Sequence, residues 1–274
     1  MLTSNSPMSG DVRNKNLVRW QPLGEASVDV RVSDGVEILH EASNEETAWV
    51  GRGPWRDLSA MERNALSAQS LNTWSESLVT LDLSADLLTL AHETLIAPLT
   101  ATNGARNDSL VKAIAHFRHC LRDALISAGI NLDTAGPADV IVNPPGMRST
   151  AYDYDEGRPR GLHIDNHQSL PLHKRADSFV LASMNIGWQS RYLHFVPAAM
   201  STILHKLELP ETCGLLPREI KDLYFQRFPR DPVVKVTIPP GTVYLLQTQN
   251  YIHDGETVPG TIPDVVFLMM GNPL

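Results

Sequence analysis

The sequence predicts an α+β fold in which a helix-rich leader, about 17–136, is followed by a closed or double-layered antiparallel sheet, about 137–274. Three observations carry that expectation. Ser109 to Ser127 holds a long amphipathic pattern, with Leu110, Val111, Ile114, Phe117, Leu121, Leu125 and Ile126 at helical spacing. After Pro137 the period changes to six or more short β-type runs punctuated by Pro and Gly turns. No internal repeat, low-complexity block or clean linker divides the chain, so residues 17–274 are expected to form a single domain.

Taken in order, Met1 to Asn16 is rich in Ser, Asn and Gly without an apolar segment, which suggests a mobile tail and not an export signal. Ser27–Val32 and Val36–His40, separated by Ser33-Asp34-Gly35, read as a β-hairpin. From Asp57 the chain turns helical, with Leu58, Met61, Leu66, Leu71 and Trp74 loosely spaced for one face and Asp57 or Ser59 as cap. A second helix is expected over Ser84–Leu95, stopping before Pro98. The Ser109–Ser127 helix has Asp108 as cap and Gly129 as stop. His116, His119 and Cys120 on it are read as ordinary helix residues, because such spacing is common without a metal. Strands are expected at Asp139–Asn143, Tyr152–Tyr154, Ser178–Met184, Arg191–Val196, Val233–Ile238, Thr242–Gln247 and Asp264–Met270. Helices at Ala198–Leu207 and Pro217–Phe225 interrupt them.

Bulk composition narrows the function classes. The chain has 274 residues, 42% apolar and 20% charged, an ordinary balance for a packed core. A net charge of −8 argues against a nucleic-acid surface, which needs a basic face. Two cysteines, Cys120 and Cys213, suggest a reducing, cytoplasmic setting. No run reaches the roughly 18 apolar residues of a membrane span.

The chemistry concentrates at His163-Ile164-Asp165. On a strand, residues two apart share a face, so the imidazole and carboxylate can converge on one ion. The triplet alone is weak: with ten histidines and eighteen aspartates it arises by chance about 0.6 times in such a chain. A third ligand is offered by His253, placed at the end of the strand signal Thr242–Gln247 that follows Pro239-Pro240-Gly241. Two imidazoles and a carboxylate on one face of an ion leave its other positions open, which suits non-heme Fe(II) and O2.

These segments resemble the jelly-roll Fe(II)- and 2-oxoglutarate-dependent oxygenase superfamily. Asn143-Pro144-Pro145, about twenty residues before His163, looks like the lead-in of the penicillin-synthase-like members. Tyr154-Asp155-Glu156-Gly157 with His163-Ile-Asp-Asn166 and Met184-Asn185-Ile-Gly-Trp188 is more similar to the prolyl-hydroxylase branch. Pro239 to Gly255 resembles the strand pair that delivers the distal histidine. The resemblance covers about Asp139 to Leu274. It implies a double-stranded β-helix (jelly-roll or cupin-like) core with flanking N-terminal helices, and Fe(II) held by His163, Asp165 and His253. It implies further that 2-oxoglutarate and O2 oxidise a C–H bond of a small molecule by hydroxylation, desaturation or cyclisation. Tyr154 and Asn143 are then expected beside the cosubstrate.

One departure leaves two readings open. Most of the superfamily places an Arg or Lys beyond the distal histidine for the far carboxylate of 2-oxoglutarate, yet none follows His253 here, and Asp264 stands near the expected place. Either another strand supplies the anchor, with Arg191 the leading candidate and Lys174 or Arg175 behind it, or the enzyme is an oxidase that dispenses with the keto acid. The substrate is expected to be amino-acid-like or a small natural product, held by Arg148, Arg158, Arg160 or Arg175. His167, His173 and His194 are alternatives to His253. A non-catalytic jelly-roll binding protein, or a zinc hydrolase using Glu156 or Asp254, are the readings from other classes.

Overall fold

The computed structural model describes residues 19–23, 28–40, 47–67, 77–101, 107–133, 136–153, 155 and 157–274. The expected tail Met1–Asn16 and Tyr154 lie outside these residues. In chain order the strands of the first part are β1 (Arg19–Leu23), β2 (Val30–Ser33), β3 (Val36–His40), β4 (Ala48–Gly51), β5 (Arg56–Asp57) and β6 (Ser77–Asp82). Then come β7 (Leu132–Asp133), β8 (Ala138–Asn143), β9 (Tyr152–Asp153), β10 (Arg158–Pro159) and β11 (Val180–Asn185). The last are β12 (Arg191–Ala199), β13 (Val233–Ile238), β14 (Thr242–Leu246), β15 (Tyr251–Glu256) and β16 (Asp264–Pro273). Helices α1 (Ala60–Leu66), α2 (Ala85–Ala91), α3 (Ala97–Ala101) and α4 (Asp108–Ser127) precede β7, while α5 (Met200–Lys206) and α6 (Pro217–Arg227) lie between β12 and β13.

Two sheets organise the chain. The larger has the order β1-β6-β14-β11-β16-β7, with β8 also on β16, and the smaller has the order β15-β12-β13-β2-β5. Among the described residues every pairing between named strands is antiparallel except β1 with β6. Strand β14 shows how the layers are built from a period of two. Val243 and Leu245 face α2–α4 on the outside, whereas Tyr244 and Leu246 pack inward against Leu193, Phe195 and Val236 of the smaller sheet. Helix α4 lays Leu110, Ile114, Phe117, Leu121 and Leu125 on the larger sheet, with Phe117 edge-on to Phe267 at 4.8 Å. Helices α5 and α6 cover the outer face of the smaller sheet through Ile203, Leu204, Ile220 and Phe225.

Several expectations are corrected. The first half is not simply a helical leader, because β6 is an interior strand of the larger sheet and β2 belongs to the smaller. Ser77-Leu-Val-Thr-Leu81 is buried on both faces, so it shows no alternation, and the helix expected from Asp57 ends at Leu66 with Met61 exposed. Leu71 and Trp74 lie outside the described residues. Val30–Ser33 and Val36–His40 do not form a hairpin: the former pairs with β13 and β5, the latter with β4. Gly35, at φ +135, turns this corner so tightly that a Cβ would sit 2.2 Å from the Pro229 carbonyl oxygen.

The second helix continues through Pro98 instead of stopping before it. A wide turn over His92–Ile96, closed by the Ala97 N–H on the His92 carbonyl, opens the hydrogen-bond ladder just before the residue that lacks an N–H. On α4 the cap is Asn107, and Val111 and Ile126 point to solvent, which narrows the apolar stripe. Truncating its central contact, Phe117→Ala, should cost about 3–5 kcal/mol in equilibrium denaturation, since the ring is fully buried and leaves a cavity against Phe267.

Candidate metal centre

His253 is delivered differently from the sequence expectation. It lies within β15, in the smaller sheet, and not at the end of β14. His163-Ile-Asp165 is an extended segment outside any named strand, joined to β15 by an isolated antiparallel bridge. The His163 N–H donates to the His253 carbonyl and the His253 N–H to the His163 carbonyl, each at 2.9 Å. This exchange places the two rings 4.5 Å apart between centroids. On the other side, the Leu162 N–H donates to the Trp49 carbonyl on β4 at 2.6 Å. Gly161 makes that approach possible, having φ +71 and a Cβ position only 2.3 Å from the Trp49 oxygen.

Backbone groups also set the ring orientations. His163 Nδ1 lies 2.9 Å from the Gly161 carbonyl oxygen and His253 Nδ1 3.2 Å from that of Tyr251. A proton on each Nδ1 satisfies those carbonyls and leaves the Nε2 lone pairs free. Both Nε2 atoms face Asp165, at 3.4 Å from Oδ1 for His163 and 3.7 Å from Oδ2 for His253. The ligand atoms of these three residues all lie within 4.8 Å of one another. The Asp165 N–H donates to the Thr248 carbonyl, and its own carbonyl accepts from buried Arg175, which also donates to Asn166 Oδ1. Arg175 therefore braces the ligand segment. Lys174 is exposed, and neither it nor Arg175 lines the inner cavity.

That cavity, about 290 Å³, opens between the sheets with the triad at one end and Arg191 in its wall. Arg191 comes from β12 and is buried; its Nε lies 3.3 Å from Asp264 Oδ2, and its Nη1 donates to Ser183 Oγ at 3.3 Å. Asn143, opposite Asp264 in the β8–β16 register, donates to the same Oδ2 at 2.8 Å. The carboxylate that the sequence placed near the missing anchor is thus the counter-ion of Arg191. The ion pair lacks hydrogen-bond direction, so Arg191 Nε and Asp264 Oδ1 stay buried without a hydrogen-bond partner. Ile141, Leu181, Val266 and Leu268 form the apolar wall.

Other sequence candidates fall elsewhere. The Tyr152 hydroxyl donates to the Gly157 carbonyl, and neither Tyr152 nor Trp188 lines the cavity. His194 packs against Trp55 and Glu256 on the opposite face of the smaller sheet. Arg148 pairs with Glu37. Glu156 lies outside the described residues, and Asp254 Oδ1 takes the Ala151 and Gly255 amides. His167, read from sequence only as a spare histidine, has its Nε2 3.2 Å from Asp165 Oδ2 at the mouth of the site.

The electrostatics divide the two imidazoles. Burial, then the His163 charge, pulls His253 down to about 4. Burial also acts on His163, but the hydrogen bond and charge of Asp165 outweigh it and raise the group above 6.5. Burial favours protonation of Asp165, yet the bonds from His163 and His167 hold it well below the usual carboxylate range. The His167 imidazole is raised chiefly by its bond to Asp165.

No family model matches the chain, and no curated protein matches it. Among solved structures it is similar to the crystal structure of the Kdo hydroxylase KdoO, described as a non-heme Fe(II) alphaketoglutarate dependent dioxygenase in complex with succinate and Fe(III). The TM-score is 0.42 at 13% identity, over 72% of this chain and 79% of that one. A likeness of that size leaves the chemistry to be argued from the site itself.

A metal must displace the proton from His163 but meets His253 already neutral. Mn(II) affinity of the metal-free protein, measured by calorimetry, should therefore fall by about tenfold per pH unit below the raised His163 value, the loss setting in above pH 6.5. Affinity that stays flat down to pH 5 would contradict this assignment.

Proposed function

We propose that this chain is a non-heme Fe(II)- and 2-oxoglutarate-dependent oxygenase that oxidises a C–H bond of a small molecule. In this reading residues 17–274 form a single oxygenase domain, and the two facing sheets are the halves of a jelly-roll. The observation that carries it is the donor set. Two imidazoles with Nδ1 tied to backbone carbonyls and one carboxylate meet at the end of a cavity that holds a buried guanidinium. Such a set suits an ion with open positions.

His163, His253 and Asp165 would hold the iron on one side. With 2-oxoglutarate as reductant, the bound metal supplies O2 activation. Arg191 would take the far carboxylate of the keto acid, its buried guanidinium in the cavity wall suiting an anion. Asn143 holds Asp264, and Asp264 in turn balances the charge of Arg191. The walls from Ile141, Leu181, Val266 and Leu268 exclude water from the inner end. A zinc hydrolase fits less well, because Asp254, already bonded to two amides, does not line the cavity.

One observation favours a second reading. Asp264 already balances the charge of Arg191, as an oxidase working without the keto acid would tolerate. Anaerobic titration with Fe(II) and then 2-oxoglutarate separates the two. The oxygenase reading expects a weak visible charge-transfer band on adding the keto acid, weakened about 10–100-fold in apparent affinity by Arg191→Gln with Fe(II) binding retained. Fe(II) binding with no such band would move the assignment to the oxidase, and no Fe(II) binding would end both.

A further inference from the structure

Two of the three candidate ligands, His163 and Asp165, also line a second hollow, which meets the Arg191 cavity at these residues and His167. This outer hollow, about 480 Å³, is lined by His163, Asp165 and His167 together with Arg160 and Arg218. The two arginines come from separate elements, Arg160 just after β10 and Arg218 in the first turn of α6. In a chain of net charge −8, two guanidinium groups line one hollow beside the Asp165 carboxylate, and the N-terminal end of an eleven-residue helix adds partial positive charge there. The bond from Arg160 to Asp153 Oδ2, 2.8 Å, fixes its plane, and a guanidinium has five N–H donors to share among acceptors.

The hollow continues away from the metal ligands. Asn166, Leu216 and Pro217 line both it and a further depression of about 460 Å³. There Leu170, Leu172 and Leu215 supply a mainly apolar lining, with His173, Arg175 and Glu211 also lining it. A polar, cationic stretch beside the triad thus runs into an apolar one, which is complementary to an amphipathic ligand.

We propose that this outer groove binds the substrate, a small molecule with an oxyanion, carboxylate or phosphate, held by Arg160 and Arg218 and an apolar arm lying along Leu170, Leu172 and Leu215. Carbons next to the oxyanion then lie beside His163 and Asp165. The fate of the substrate rests on the oxygenase reading; its binding does not, since none of these contacts uses iron.

The test is calorimetry on the metal-free full-length protein with octanoate, octyl phosphate, acetate and octan-1-ol as probes. At least one octyl anion should bind saturably, with acetate and the neutral alcohol weaker by about tenfold or more. The better of the two anions identifies the oxyanion. Arg160→Gln/Arg218→Gln should weaken that anion by about tenfold or more, Arg160→Lys/Arg218→Lys should restore part of the loss, and Arg191→Gln should leave it unchanged. The double Gln variant should retain Fe(II) binding, which shows that the inner site is intact. Equal binding by the double variant, equal binding of the alcohol, loss in Arg191→Gln, or no binding of either octyl anion would each overturn the proposal. If wild type binds the anion yet fails the Fe(II) and 2-oxoglutarate titration, the oxygenase reading falls while the groove stands.

Discussion

Two reciprocal hydrogen bonds between the backbones of His163 and His253 hold the candidate site together. The residues are ninety apart in sequence, and the bridge to β15 brings the ligand segment onto the smaller sheet. Because both partners donate and accept, neither can shift along the other without losing two bonds in a buried setting. The register then decides the chemistry. A slip of one residue would turn one imidazole to the opposite face.

Around this bridge the fold works as a frame. Strand β4 pins Leu162 from one side, Arg175 braces the Asp165 segment from another, and Thr248 takes the Asp165 amide. Arg191 and Asp264 come from strands of the two different sheets, so their ion pair ties the two layers together. Burial of that pair, with Asn143 bonded to one oxygen only, leaves a guanidinium nitrogen without a hydrogen bond in a residue that lines the cavity. Such a group is costly for stability alone, which accords with a binding role.

Much of this was legible in the chain. Val233–Ile238 was read with its observed bounds, and the helix at Ser109–Ser127 to within one residue, because strong period and turn chemistry coincide there. His163, Asp165 and His253 could be grouped from spacing and residue type. Their support could not, since the Gly161–Trp49 approach, the Asn143–Asp264 pairing and the Arg191 counter-ion join segments far apart in sequence. Ser77–Asp82 was misread for a physical reason: a strand buried on both faces has no polar face to mark its period. At Asp264 the sequence shows the charge and not the partner, Arg191.

The most direct test of the account is crystallography of the protein soaked anaerobically with Mn(II), collected for anomalous scattering. The account predicts one strong peak within about 2.3 Å of His163 Nε2, His253 Nε2 and an Asp165 carboxylate oxygen, with the backbone bridge unchanged. A peak coordinated by His167 with His253 left out, or no peak at the triad in crystals that hold Mn(II) elsewhere, would contradict it.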